Sequence, residues 1–140
     1  MIQLQAENSL FILKNIVMKK FLIVGSQSEA LVNAISKAIG SDKVEIYCAC
    51  DYSDVVKIRK QCGNIDLIIF DAYDIDAIRH NFGVLRATRI AFDDVFTVIV
   101  TDCAQLNKSL HDCIVRKKDA IDFIEEWFTE VLEQNCSPKD

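Results

Sequence analysis

Proline and glycine are nearly absent: Pro138 is the single proline, and four glycines are spread over 140 residues. With so few chain breakers there is no linker, repeat or low-complexity tract, so the chain reads as one domain. Long apolar runs are missing as well, none exceeding about six residues against roughly twenty needed to span a bilayer. The run Leu10-Phe11-Ile12-Leu13 follows Glu7 and has no basic segment before it, so it does not read as a secretory signal, and a cytoplasmic location is expected. An excess of cations is missing too. A net charge of −5 leaves nothing to neutralise a phosphate backbone, which excludes a general nucleic-acid-binding surface and favours a protein or small-molecule partner. There is no Gly-rich phosphate loop, since Val24-Gly25-Ser26-Gln27-Ser28 has one glycine, and no Ser-His-Asp arrangement. A nucleotide binder or hydrolase is therefore not expected.

What the chain does have is apolar bulk, 51% of its residues, enough for a real hydrophobic core. Short apolar runs alternate with stretches of helical period, the pattern of strand–helix units in a parallel sheet. Phe21-Leu22-Ile23-Val24 reads as a central strand covered on both faces and ended by Gly25-Ser26. Ser28 is placed to cap a helix carrying Leu31, Ala34, Ile35, Ala38 and Ile39, stopped by Gly40. Val44, Ile46 and Cys48 alternate as on an edge strand. Asp51 or Ser53 then caps a helix with Val55, Ile58 and Cys62 on one side, closed by Gly63. The run from Ile65 to Asp71 is a third strand ending abruptly in an acid. Ile75, Ile78, Phe82 and Leu85 fit the next helix, whose interior Gly83 weakens. Val95 to Val100 makes a fourth strand, and Cys113-Ile114-Val115 a short fifth one, with room for only a short helix over 103–110 between them. Asp119 opens a last helix with Ile121, Ile124, Trp127, Phe128, Val131 and Leu132 on one stripe, read as core rather than as a ligand platform.

These units imply a flavodoxin-like, three-layer α/β domain: a doubly wound five-stranded parallel sheet of order 2-1-3-4-5, spanning residues 18–135. An extension (1–17) precedes it and a tail (136–140) follows. In such a sheet a ligand sits beyond the carboxyl ends of the strands, in the crevice between the first and third. Gly25-Ser26, Asp71 and Thr101 converge there, and Arg116-Lys117-Lys118 follows the fifth strand.

Six cysteines are present. Most lie in or beside apolar stretches, the pattern of reduced, partly buried thiols. Cys48-Ala49-Cys50 places two thiols on one face of a strand. With His80 or His111 they suggest an alternative, a metal- or thiol-responsive binding domain, although neither a C-x-x-C spacing nor a second paired motif is present.

At the strand ends the chain resembles the receiver domain of bacterial two-component response regulators, in an atypical form. The matching segments are Lys20-Phe-Leu-Ile-Val-Gly25, Asp66-Leu-Ile-Ile-Phe-Asp71, Phe96-Thr-Val-Ile-Val-Thr101 and Ile114-Val-Arg-Lys117, and the likeness spans roughly 18–134. The resemblance implies that Asp71 is the phosphoacceptor, that Thr101 is the hydroxyl that moves with the phosphoryl group, and that Arg116 or Lys117 is the cation pairing with it. In the family two acids after the first strand hold Mg²⁺, which shields the charge of the transfer. Here those positions carry Gly25 and Ser26, which supply no charge to a cation that prefers anionic oxygen. Glu29 and Asp74 lie near in sequence but not at the family positions. Further departures are Asp102 in place of a small residue after Thr101, Lys117 or Lys118 in place of a proline, and Cys113 or Ile114 in place of an aromatic residue.

The expectation is a non-enzymatic receiver-like signalling domain with an incomplete Mg²⁺ pocket and no cofactor. It works by contact with a protein such as a histidine kinase or a downstream effector, or as a homodimer. No output domain follows the last helix, so the reading is of a stand-alone domain. The resemblance places the contact face on the family's fourth helix, fifth strand and fifth helix, where Lys108 and the Arg116–Lys118 run fall.

Overall fold

The computed structural model describes residues 18–25, 28–72, 75–102 and 112–136, with the side chains of 75–82 and 133–136 outside that description. In chain order the elements are β1 (Lys19–Val24), α1 (Glu29–Ile39), β2 (Val44–Ala49), α2 (Tyr52–Cys62), β3 (Leu67–Asp71), α3 (Ile75–Ala91), β4 (Phe96–Val100), β5 (Cys113–Val115) and α4 (Ala120–Cys136), the last preceded by a 3₁₀ turn over Lys117–Asp119. The five strands form one sheet in the order β2-β1-β3-β4-β5. Every pairing is parallel. This is the expected doubly wound topology, and it puts β3 in the middle, flanked by β1 and β4.

Both faces of the sheet are covered, which is why the central strands read as unbroken apolar runs rather than as alternating ones. Phe21, Ile23, Leu67, Ile69 and Val98 pack on one side against Ile35 of α1 and Ile124 and Phe128 of α4. Leu22, Val24, Ile68, Phe70 and Ile99 pack on the other against Val55 and Ile58 of α2 and Leu85 of α3. Trp127 and Phe128 belong to the core, their rings edge-on to Phe21 at 5.8 and 6.4 Å between centroids.

Local chemistry sets the element ends. Asp51, not Ser53, caps α2, its carboxylate accepting from the Asp54 amide at 2.9 Å. Gly63 closes α2 at φ 72°, a conformation that costs a residue with a Cβ but not glycine. β3 starts at Leu67, two residues later than the apolar run suggests. Just before it, the Asp66 carboxylate accepts from the Lys20 amide at 2.8 Å while the Asp66 N–H donates to the Lys20 carbonyl at 2.8 Å, so Asp66 locks β1 to β3 through its side chain as well as its backbone. α3 runs on to Ala91, past the Leu85 at which its apolar spacing weakens. The last helix includes Cys136, one residue into the span read as a tail. The short helix expected over 103–110 falls outside the described residues, as do the extension 1–17 and the residues after Cys136.

Candidate functional site at the carboxyl ends of the strands

Asp71 is the final residue of β3, the strand at the centre of the sheet. Its register partner is Val100, and one residue earlier Phe70 pairs with Val24. The ladder continues just past each strand end, with Gly25 N–H donating to the Ala49 carbonyl at 3.0 Å, Ala72 N–H to Val100 at 3.0 Å and Thr101 N–H to Val115 at 2.9 Å. Gly25, Asp71 and Thr101 are therefore held at adjacent strand tips by backbone bonds. Three of the positions singled out in the sequence meet because parallel pairing in this order forces them to.

The strand period of two fixes where Asp71 points. Leu67 and Ile69 face α1 and α4, so Asp71 does as well. It lines a groove of about 320 Å³ together with Ala30, Leu31, Ala34, Val100, Lys117, Ala120 and Ile121. Asp71 as a residue is 9% exposed. Burial pushes its pKa above the usual 3.8, and the Lys117 ammonium pulls in the opposite direction. Lys117, rather than Arg116, is thus the cation that faces Asp71. The sequence left the two open because both follow β5. Both residues are exposed, but Lys117, the first residue of the 3₁₀ turn, lines the groove, whereas Arg116, the turn's extended cap, does not.

Thr101 is buried at 1% exposure, beside the tip of β3. Asp102 does not face the groove as an unpaired acid: its Oδ1 accepts from the Lys117 backbone amide at 3.3 Å and so helps set the turn that carries Lys117.

Gly25 lies directly against Asp71 at the tip of β1. A Cβ built there lies 3.0 Å from the Asp71 carbonyl oxygen, 3.0 Å from Ser28 Oγ and 3.2 Å from Asp71 Cβ. The glycine is what allows β1 and β3 to approach this closely at their tips. Ser28 occupies the N-cap position of α1 as its sequence suggested, but it makes no side-chain cap bond. Its hydroxyl is instead buried against Gly25 without a hydrogen-bond partner. Cap identity was readable from the sequence. The rotation of the hydroxyl was not, because it depends on how the connection between β1 and α1 folds Ser28 back against Gly25. Ser26 and Asp74 fall outside the described residues. Glu29 is exposed on the first turn of α1.

Among the described residues, no three His, Cys, Asp or Glu side chains gather as a metal site. β2 ends at Ala49, so Cys50 lies just beyond the strand and not within it. Its thiol donates to the Gly25 carbonyl at 3.4 Å. Burial and the neighbouring Cys50 push the Cys48 thiol pKa up, away from the thiolate that binds metals and reacts with oxidants. His80 and His111, the ligands suggested for a thiol site, lie outside the described side chains.

No protein-family model matches the chain, and no curated protein matches it. Solved structures do. A CheY-like response regulator receiver domain protein from Methanospirillum hungatei JF-1 superposes with a TM-score of 0.57 at 20% identity, covering 84% of this chain and 98% of that one. The signal receiver domain of an HD domain-containing protein from Pseudomonas fluorescens Pf-5 gives 0.61 at 15% identity, covering 86% and 99%. This chain has the receiver fold. A response regulator from Burkholderia pseudomallei, solved with a phosphorylated aspartic acid, a calcium ion and citrate, is also similar, with a TM-score of 0.57 at 12% identity, 84% of this chain and 73% of that one. Identities this low establish the receiver architecture itself, and the chemistry of the crevice has to be argued from its own residues. No helix among the described residues is long and apolar enough to cross a membrane.

The buried carboxyl makes a pH-dependent prediction. A carboxyl whose pKa is raised by folding adds stability below its unfolded value of 3.8, and that stability is lost as pH rises through the folded value. At neutral pH the ionised Asp71 is therefore a cost that Asp71→Asn removes. Thermal melts should show the variant above wild type at pH 7, with the gap closing as pH falls through the raised folded value and gone below 3.8. A variant less stable than wild type at pH 7 would mean that attraction to Lys117 outweighs burial.

Proposed function

We propose that this chain is a receiver-type signalling domain that acts by contact with a partner protein, and that metal-assisted phosphorylation of Asp71 is not its working switch. The observation carrying this reading is the pairing of a kept feature with a lost one in the same crevice. Asp71 stands at the tip of the central strand with Thr101 beside it and Lys117 facing it, while Gly25 occupies the place of a metal-holding acid. Phosphoryl transfer to a carboxylate brings anionic oxygens together, and Mg²⁺ normally offsets their repulsion. Asp71 offers one carboxylate and Gly25 none. A hard divalent cation that wants several anionic or carbonyl oxygens is poorly served by that set. The residues described do not fit Mg²⁺, and no step is routed through it.

In the Burkholderia protein a phosphorylated aspartic acid and a calcium ion occur together. Here Lys117 and the Thr101 hydroxyl remain as groups able to recognise oxyanions, but the means of driving the transfer is reduced. The domain is read as non-enzymatic, its output carried by its surface. The exposed Arg116, Lys117 and Lys118 beside β5, with the half-exposed Ile114, form the described part of the contact face that the receiver resemblance suggests. A kinase or an effector with an acidic patch suits that cluster. The Cys48/Cys50 reading gains no support from the structural neighbours.

Intact mass after incubation with acetyl phosphate and Mg²⁺ tests the proposal. A phosphoryl group adds about 80 Da. The expected spectrum shows the unmodified mass with at most a trace of adduct. Near-complete conversion that disappears in Asp71→Asn would overturn the proposal and make the chain a working phosphoreceiver.

A further inference from the structure

A second surface, away from the strand tips, carries features that the receiver reading does not use. Between α2 and α3 lies a largely apolar groove of about 350 Å³ lined by Tyr52, Val55, Val56, Ala87, Ile90 and Ala91, with Arg59 and Lys60 at its margin. Its lips are Tyr52 and Ile90, 62% and 75% exposed. The only other large apolar side chains that are exposed among the described residues, Phe96 and Ile114, are at 36% and 38%. Leaving a large aliphatic side chain three-quarters in water beside an apolar groove has a solvation cost that docking would recover.

The charge around the groove restricts what can dock. Of the exposed cations on α2 and α3, Arg59 and Lys60 line the groove itself, and Arg86 is one turn before Ile90. Among the described residues no acid lines the groove; Asp51 and Asp54, at the start of α2, are spent on capping its first turn, accepting from the Asp54 and Cys50 amides. A basic rim has thus been concentrated on a chain whose net charge is −5. Two copies meeting groove to groove would set these cations against each other. The acidic face of α4 in a second copy, with Asp122, Glu125, Glu126 and Glu130 exposed, has no exposed large apolar side chain among the described residues to insert between Tyr52 and Ile90. The fitting occupant has both properties at once.

We infer that the α2–α3 groove docks an amphipathic helix of a different protein, whose apolar stripe covers Tyr52 and Ile90 and whose flanking acids meet Arg59 and Lys60. The surface shares no residue with the Asp71 crevice, so the inference stands or falls separately from the phosphorylation reading.

The test is an NMR titration of the full-length chain with two synthetic helical peptides that share a leucine stripe and differ in carrying glutamate or lysine on the polar face. The glutamate peptide should shift the amides of Tyr52, Val56, Lys60, Ala87 and Ile90, and the lysine peptide should not. Binding should weaken about tenfold or more in Ile90→Asp, several-fold in Lys60→Glu, and on raising salt, as expected for an apolar anchor with a charged rim. Both substitutions are at exposed positions, and unchanged melting curves would show that the fold is intact. Asp71→Asn should leave binding unaltered. Equal binding of both peptides, or shifts confined to other surfaces, would overturn the inference. So would a concentration-dependent dimer that Ile90→Asp dissociates, which would make a second copy the occupant. Peptide binding that appears only after removal of residues 1–17 would also overturn it, because the chain's own N-terminal segment would then be the occupant.

Discussion

Replacing Phe21 by alanine should lower the free energy of unfolding by about 3–5 kcal/mol, the usual range for deleting a fully buried aromatic ring. Phe21 is completely buried in the middle of β1. Its ring meets Trp127 and Phe128 edge-on, tying the central strand to α4, the last helix in the chain. The same side packs with Ile35 of α1 and with Ile69 of the neighbouring strand. Removing it leaves a void bounded by a rigid sheet that cannot close over it, so the cavity contribution comes on top of the lost transfer energy. Since small domains are stable by only about 5–15 kcal/mol, the variant should be partly unfolded at moderate temperature. Urea titration followed by tryptophan fluorescence measures this directly, because Trp127 is at the damaged contact. A loss below about 1 kcal/mol would mean that α4 is not docked on β1 as described.

Restoring an acid at the tip of β1 should not restore a metal site. Gly25→Asp should instead destabilise the domain by about 1–3 kcal/mol, the range for overpacking a tight core position. The first atom of the new side chain arrives 3.0 Å from both the Asp71 carbonyl and Ser28 Oγ. One of those neighbours is backbone in the central strand and cannot move without disturbing the ladder to β4. The added charge would also lie close to a carboxyl whose ionisation is already opposed by burial, and two carboxylates sharing such a site repel. Melting temperatures with and without millimolar Mg²⁺ check both parts of the expectation: a lower midpoint for the variant, and no recovery on adding the ion. A Mg²⁺-dependent rise that brings Gly25→Asp back to the wild-type midpoint would show that the crevice can open, and the reading of Gly25 as a close-approach residue would fail.

Topology was legible from the sequence because it rests on features that are local and repeated. Unbroken apolar runs at Phe21–Val24 and Leu67–Phe70 can be stabilised only in the middle of a sheet covered on both faces. Alternation at Val44, Ile46 and Cys48 marks an edge, and helical spacing between the runs demands crossovers. Strand order and the meeting of Gly25, Asp71 and Thr101 follow from those patterns and the handedness of the connections. Boundaries that depended on a side chain's partner were less legible. Asp66 looked like part of a strand and is a lock onto the Lys20 amide. Ser28 looked like a cap and turns its hydroxyl into the core.

The sequence by itself determined the layers, the strand order and the identity of the acid at the centre of the crevice, because periodicity and chain connectivity leave few alternatives. Tertiary structure alone decided which cation faces Asp71, how tightly Gly25 is pressed against it, and that Tyr52 and Ile90 line one exposed apolar groove with Arg59 and Lys60. Each of these depends on distances between residues far apart in the chain. Such distances are set by how α1, α2, α3 and α4 settle on the sheet, and no local pattern of residues encodes them.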